Sequence, residues 1–97
     1  MKHIVLFQLI EEMSAEERKK LMTRFKEGIE ALPLTIPAIQ SIEVGFNENP
    51  AESWDMALVG EFASLADIEA YALHPDHIAV AQTLKGFVKG RSCVDCQ

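Results

Sequence analysis

Nowhere in the chain do apolar residues run for the roughly 18 consecutive positions that a membrane-crossing helix needs, so no transmembrane segment is expected. Met1 to Phe7 has the basic residue and apolar run that begin a signal peptide, but Glu11 and Glu12 cut that run short and no small-residue cleavage site follows. The expectation is a soluble, cytoplasmic protein whose first strand starts at once. Basic side chains are also scarce: nine Lys and Arg stand against fifteen Asp and Glu, for a net charge of −6. Apart from Arg18-Lys19-Lys20, which sits among acids, they are scattered, and a phosphate backbone would find no attractive stripe. No nucleic-acid partner is expected.

Cysteine occurs only at Cys93 and Cys96, in the C-x-x-C of Cys93-Val94-Asp95-Cys96. That spacing serves redox chemistry or half of a zinc site. A redox pair, however, usually opens a helix whose N-terminus lowers the thiol pKa, whereas this pair closes the chain inside strand-like sequence. Positions three apart on a strand point to opposite faces, so the two sulfurs should diverge. No second pair completes a tetrahedral zinc site, and the histidines are distant along the chain. No metal or other cofactor is expected.

What is present fits one domain. The 97 residues bury a modest core, which makes help from a partner plausible, and they leave no room for a second domain. Residues 3–10 are β-branched and aromatic-rich and read as a strand, with His3, Val5, Phe7 and Leu9 on one face and Ile4, Leu6, Gln8 and Ile10 on the other. Ser14-Ala15-Glu16-Glu17 is a capping box, and Leu21, Phe25, Ile29 and Leu32 form the apolar stripe of a helix that Pro33 stops. Residues 41–46 alternate as a half-exposed strand, the turn-like 47–53 follows, and 55–62 reads as a third strand. Trp54 should pack at this hairpin, and Asp55 and Glu61 read as solvated strand positions rather than a carboxylate dyad. Ser64 caps a second helix, Pro75 ends it, and a third helix starts near Asp76 and fades towards Gly86 and Gly90. Residues 91–96 form a last short strand.

The order is β-α-β-β-α-β with the second helix broken in two: a ferredoxin-like α+β domain with a four-stranded antiparallel sheet. Helices cover one face of such a sheet, yet the first and third strands are apolar on both. A second copy of the chain is the simplest cover, giving a homodimer of the dimeric α+β barrel type.

Chemistry concentrates in Tyr71-Ala72-Leu73-His74-Pro75-Asp76-His77. Pro75 breaks the helix, so Tyr71 near one helix end and His77 near the next helix start can face a common space. His77 lies on the apolar side of its helix, where partial desolvation lowers its pKa and keeps it neutral and basic at neutral pH. A phenol beside it can donate to a developing oxyanion. His3 joins them if the first strand turns its His3, Val5 and Phe7 side towards the helices. The expected site is therefore His77, Tyr71 and His3, with Val5, Phe7, His74, Val80, Ala81 and Leu84 around a small apolar or aromatic ligand. A half-buried His or Tyr is also commonly a hydrogen-bonded core residue, and His74 before Pro75 can serve as a turn anchor alone.

Lys2-His3-Ile4-Val5-Leu6-Phe7, Ile36-Pro37-Ala38-Ile39, Asp55-Met56-Ala57-Leu58-Val59 with Phe62, Tyr71-x-x-His74-Pro75-x-His77 and Val94-Asp95 resemble the pattern of the stress-responsive A/B barrel (Dabb) family over essentially the whole chain. The resemblance implies a dimeric α+β barrel and an association with stress responses. One plant member is a polyketide cyclase that closes its substrate by aldol chemistry without a cofactor. Its base matches His77, its carbonyl-assisting tyrosine matches Tyr71, and a site-lining histidine matches His3. This chain departs from the pattern in its second strand and hairpin and in ending near Cys96. Two other functions fit the same barrel: a non-catalytic stress-associated dimer with structural histidines, and a heme- or flavin-assisted monooxygenase.

Overall fold

The alternation along the first strand decides how the rest of the chain packs. In the computed structural model, which describes residues 1–97, strand β1 (Lys2–Leu9) buries His3, Val5, Phe7 and Leu9 and leaves Ile4, Leu6 and Gln8 partly exposed. β1 lies at the centre of one antiparallel sheet. It pairs with β3 (Met56–Glu61) on one side and β4 (Val88–Cys96) on the other, and β2 (Ser41–Phe46) pairs with β3. The strand order β2-β3-β1-β4 is ferredoxin-like, and every neighbouring pair is antiparallel as expected.

Paired residues share a face in such a ladder. Val5 stands beside Leu58 and Cys93, and Leu58 beside Val44, which places these four on the helix side. Ile4 stands beside Val59 and Val94, and Leu6 beside Ala57 and Ser92, on the side no helix covers. Trp54 leans towards this open face, its ring near Gly90, rather than resting at the hairpin alone.

Helix α1 (Ala15–Ala31) begins as its capping sequence requires: the Ser14 hydroxyl accepts from the Glu17 N–H at 3.1 Å. Phe25 and Ile29 are its buried anchors, and a single 3-10 turn, Leu32–Leu34, ends it at Pro33. Helix α2 (Leu65–Leu73) and helix α3 (Pro75–Ala81) are separated by the extended backbone of His74. Gly28 lets α1 and α3 touch, since a Cβ there would come within 2.9 Å of a Val80 methyl. No helix is long and apolar enough to cross a membrane.

Two expectations need correction. Asp55 is not a solvated strand residue: its carboxylate accepts from the Leu9 N–H at 2.7 Å and meets Arg18 at 3.4 Å, tying the end of β1 to α1. The last strand starts at Val88 rather than Arg91, because Gly86, with φ of +87°, turns the chain out of the 3-10 turn Gln82–Leu84 sooner than composition suggests.

Candidate functional site

Between the helix face of the sheet and α3 lies a cavity of about 280 Å³, walled by Val5 and Phe7 of β1, Leu58 of β3, Phe25 of α1, and Ala81 and Leu84. Its polar groups come from four places in the sequence: His3, Tyr71, His77, and the pair Lys85 and Arg91. The strand pairing explains how residues so far apart meet. Arg91, Cys93 and Asp95 alternate along β4 on the helix side, opposite Phe7, Val5 and His3.

Tyr71 stands between the two imidazoles, its ring centroid 4.4 Å from that of His77 and 5.8 Å from that of His3. Phe62 backs both Tyr71 and His3. The phenol is only 1% exposed, and its hydroxyl has no hydrogen-bond partner within the protein. Burial holds the Tyr71 pKa above its ordinary value, with a small opposing effect of the Arg91 charge, so the group is a neutral donor at physiological pH. A buried hydroxyl without a partner costs about 1–3 kcal/mol. Tyr71→Phe is therefore expected to raise the free energy of unfolding in urea by at most about that amount. A loss of stability would mean that the hydroxyl is satisfied in the folded protein.

His77 is half-buried at the start of α3, and its Nδ1 lies 3.0 Å from the Ala72 carbonyl. A carbonyl only accepts, so Nδ1 carries the proton and the neutral ring presents a bare Nε2. Burial lowers the His77 pKa, the Ala72 bond opposes that, and the charges of His3 and Arg91 lower it further. The unfolded chain then binds a proton that the folded chain resists. Stability should be flat above about pH 6.5 and fall as pH drops below it towards the lower folded value. The check is a difference: unfolding free energies against pH for wild type and His77→Gln. The mutant should show a shallower acid slope, and equal slopes would contradict the shift.

His3 is held differently. Its Nδ1 sits 2.5 Å from Asp95 Oδ1, so the carboxylate fixes the ring and its tautomer. The Cys93 sulfur is 3.7 Å from the same nitrogen and 3.8 Å from the same carboxylate. These three residues are the one group whose donor atoms cluster tightly enough for a metal, within 4.8 Å of one another, and the His3–Asp95 hydrogen bond already uses two of the atoms. The distant histidine of the sequence is thus a strand neighbour of Cys93. Cys96, beside Lys2, faces the open side, so the two sulfurs diverge. Burial and the Asp95 charge push the Cys93 thiol up, which disfavours a reactive thiolate.

Of the residues expected from sequence, His3, Val5, Phe7, Tyr71, His77, Ala81 and Leu84 line the cavity. His74 and Val80 do not. The His74 ring turns back to accept from the Asp76 N–H at 3.1 Å and caps α3, and Val80 packs on Gly28. Lys85, Arg91, Phe25 and Leu58 were not anticipated, nor was Asp95 as the partner of His3. Period-two counting back from Asp95 puts Arg91 on its face, and that was the available signal.

This fold and cavity define an A/B barrel protein of ferredoxin-like architecture. The chain belongs to the stress responsive A/B barrel domain family, whose pattern matches residues 1–97. A crystal structure from Bacteroides fragilis, described as a dimeric protein of unknown function and ferredoxin-like fold, is 48% identical, with a TM-score of 0.97 over 99% of this chain and 93% of that one. A dimeric ferredoxin-like protein of unknown function from Thermobifida fusca is 24% identical, with a TM-score of 0.76 over 96% of this chain and 85% of that one. The hydroxynitrile lyase of Passiflora edulis shares the fold at 16% identity, with a TM-score of 0.72 over 96% of this chain and 87% of that one. No curated protein matches the chain.

Proposed function

We propose that this protein works as a homodimer whose cavity binds a small apolar or aromatic carbonyl compound and removes the proton beside the carbonyl without a cofactor. The observation that carries this is the Tyr71 hydroxyl: buried, protonated and unpartnered, at a cavity wall between two imidazoles. His77 Nε2 takes the proton from the carbon, the C–H pair becomes the C=C bond of the enolate as the carbonyl π pair moves onto oxygen, and Tyr71 donates to that oxygen. The enolate then either takes the proton from the His77 imidazolium at a different carbon of a conjugated system, an isomerisation, or attacks a second carbonyl through its α-carbon, an aldol closure whose alkoxide takes that proton. His3, braced by Asp95, orients the ligand. A hydroxynitrile lyase of the same fold is consistent with carbonyl chemistry being at home on this scaffold. The dimer joins the open sheet faces; the apolar Ile4, Leu6, Ala57, Val59 and Val94 there support it, as does the dimeric state of the Bacteroides fragilis relative.

One observation favours a second reading, a non-catalytic dimer. The His77–Ala72 bond bridges the α2–α3 break and is what a structural histidine would make. Saturation-transfer NMR with acetophenone and small β-diketones separates the two. Binding to wild type that is lost in a folded, dimeric His77→Ala supports the site. Binding to neither protein, with a lower melting temperature as the sole effect of the substitution, supports the structural role.

A further inference from the structure

The charges around the cavity are one-sided. The chain carries fifteen acids and a net charge of −6, yet not one Asp or Glu lines the cavity, while Lys85 and Arg91 both do. Neither takes part in any of the ion pairs of the fold, which join Met1 to Glu61, Arg18 to Asp55, Lys20 to Glu16, Lys26 to Glu30 and Lys89 to Glu11, besides two histidine pairs. Asp95, two positions beyond Cys93 on the same strand face, is engaged by His3. The Arg91 charge is felt at the Cys93 thiol, and its guanidinium makes no ion pair, so its donors remain available to a ligand. Its charge is felt at Tyr71 and His77, so it stands near the groups that would handle a carbonyl.

We propose that the cavity takes its ligand as an anion: an aromatic or alkyl carboxylate whose apolar part lies against Val5, Phe7, Phe25 and Leu84 and whose acid group is held by Arg91 and Lys85. This deepens the assignment of the cavity as a ligand pocket and rests on it. Arg91 matches a carboxylate in two parallel hydrogen bonds, and Lys85 adds a point charge at the entrance. Both cations also draw an anionic ligand towards a protein whose overall charge would repel it. With the acid group fixed there, an anionic ligand places a carbonyl further along its chain towards Tyr71. An enolate formed next to a carboxylate is otherwise opposed by like charge, and Arg91 offsets that.

The test compares cinnamate with cinnamamide, which share a shape and differ in charge, by NMR titration of wild type, Arg91→Gln, Lys85→Gln and the double variant. Cinnamate should bind about tenfold or more tightly than the amide, since a hydrogen bond to a charged group is worth that much. Its affinity should fall with added salt, the double variant should lose the preference, and Arg91→Lys should restore only part of it. Amide binding should change less than cinnamate binding in every variant. If acid and amide bind wild type alike, or if the double variant keeps the preference, the inference fails while the pocket stands. If neither compound shifts the amides of cavity residues, both fail together. The salt dependence is read on wild type alone, so a variant that does not fold leaves the test decisive.

Discussion

Replacing His77 by alanine is expected to slow proton exchange at the α-carbon of a bound ketone by about 10²–10⁴-fold, the usual contribution of a positioned general base. The measurement is deuterium incorporation into acetophenone or a β-diketone in heavy water, followed by NMR and corrected for the buffer rate. The imidazole meets three requirements of a base: it is neutral because burial lowers its pKa, its Nδ1 proton is fixed on Ala72, and its Nε2 is bare. Tyr71→Phe should cost less, since it removes a donor and leaves the base. The pair of substitutions also separates chemistry from scaffolding. Tyr71→Phe should lower exchange while preserving or raising stability, which a structural tyrosine would not do. If exchange by His77→Ala equals that of wild type, His77 is not the base.

The second large effect concerns the open sheet face. Leu6→Asp is expected to leave the protein monomeric at micromolar concentration in sedimentation equilibrium. Leu6 stands beside Ala57 and Ser92 on the side no helix covers. In a two-fold interface the substitution occurs twice, and each unpaired carboxylate carries a penalty of several kcal/mol. Monomerisation should also lower the melting temperature, because only 17 of 97 residues are buried within one chain. Lys19→Asp, on the exposed side of α1, is the matched control and should stay dimeric. A dimeric Leu6→Asp protein would place the partner on another surface.

Local rules made most of the fold legible. Alternation assigned both faces of β1, and the serine caps at Ser14 and Ser64 and the prolines at Pro33 and Pro75 bounded the helices where the backbone turns. The core of the site was legible for the same reason: Tyr71 and His77 flank a break, and His3 shares a face with Val5 and Phe7. Periodicity names a face of a helix but not what lies against it. On the short α3, His77 and Ala81 are four apart and meet the cavity, whereas Val80, on the same apolar stripe, turns to Gly28 of α1. His74 was grouped with the site by its proximity to His77, yet a residue between two helices serves its own backbone, capping α3. Arg91 and Lys85 gave no apolar signal, and Asp55 and Asp95 act through partners 46 and 92 residues away, which only the pairing of strands reveals.

The central claim is that this cavity abstracts a proton next to a carbonyl. Its most direct test is the pH profile of α-deuterium exchange by wild-type protein. The account predicts a rate above buffer that is flat at neutral pH and falls on the acid side through one ionisation below about 6.5, the ordinary histidine value. A rate indistinguishable from buffer across the range would contradict it and leave the histidines as braces of the fold.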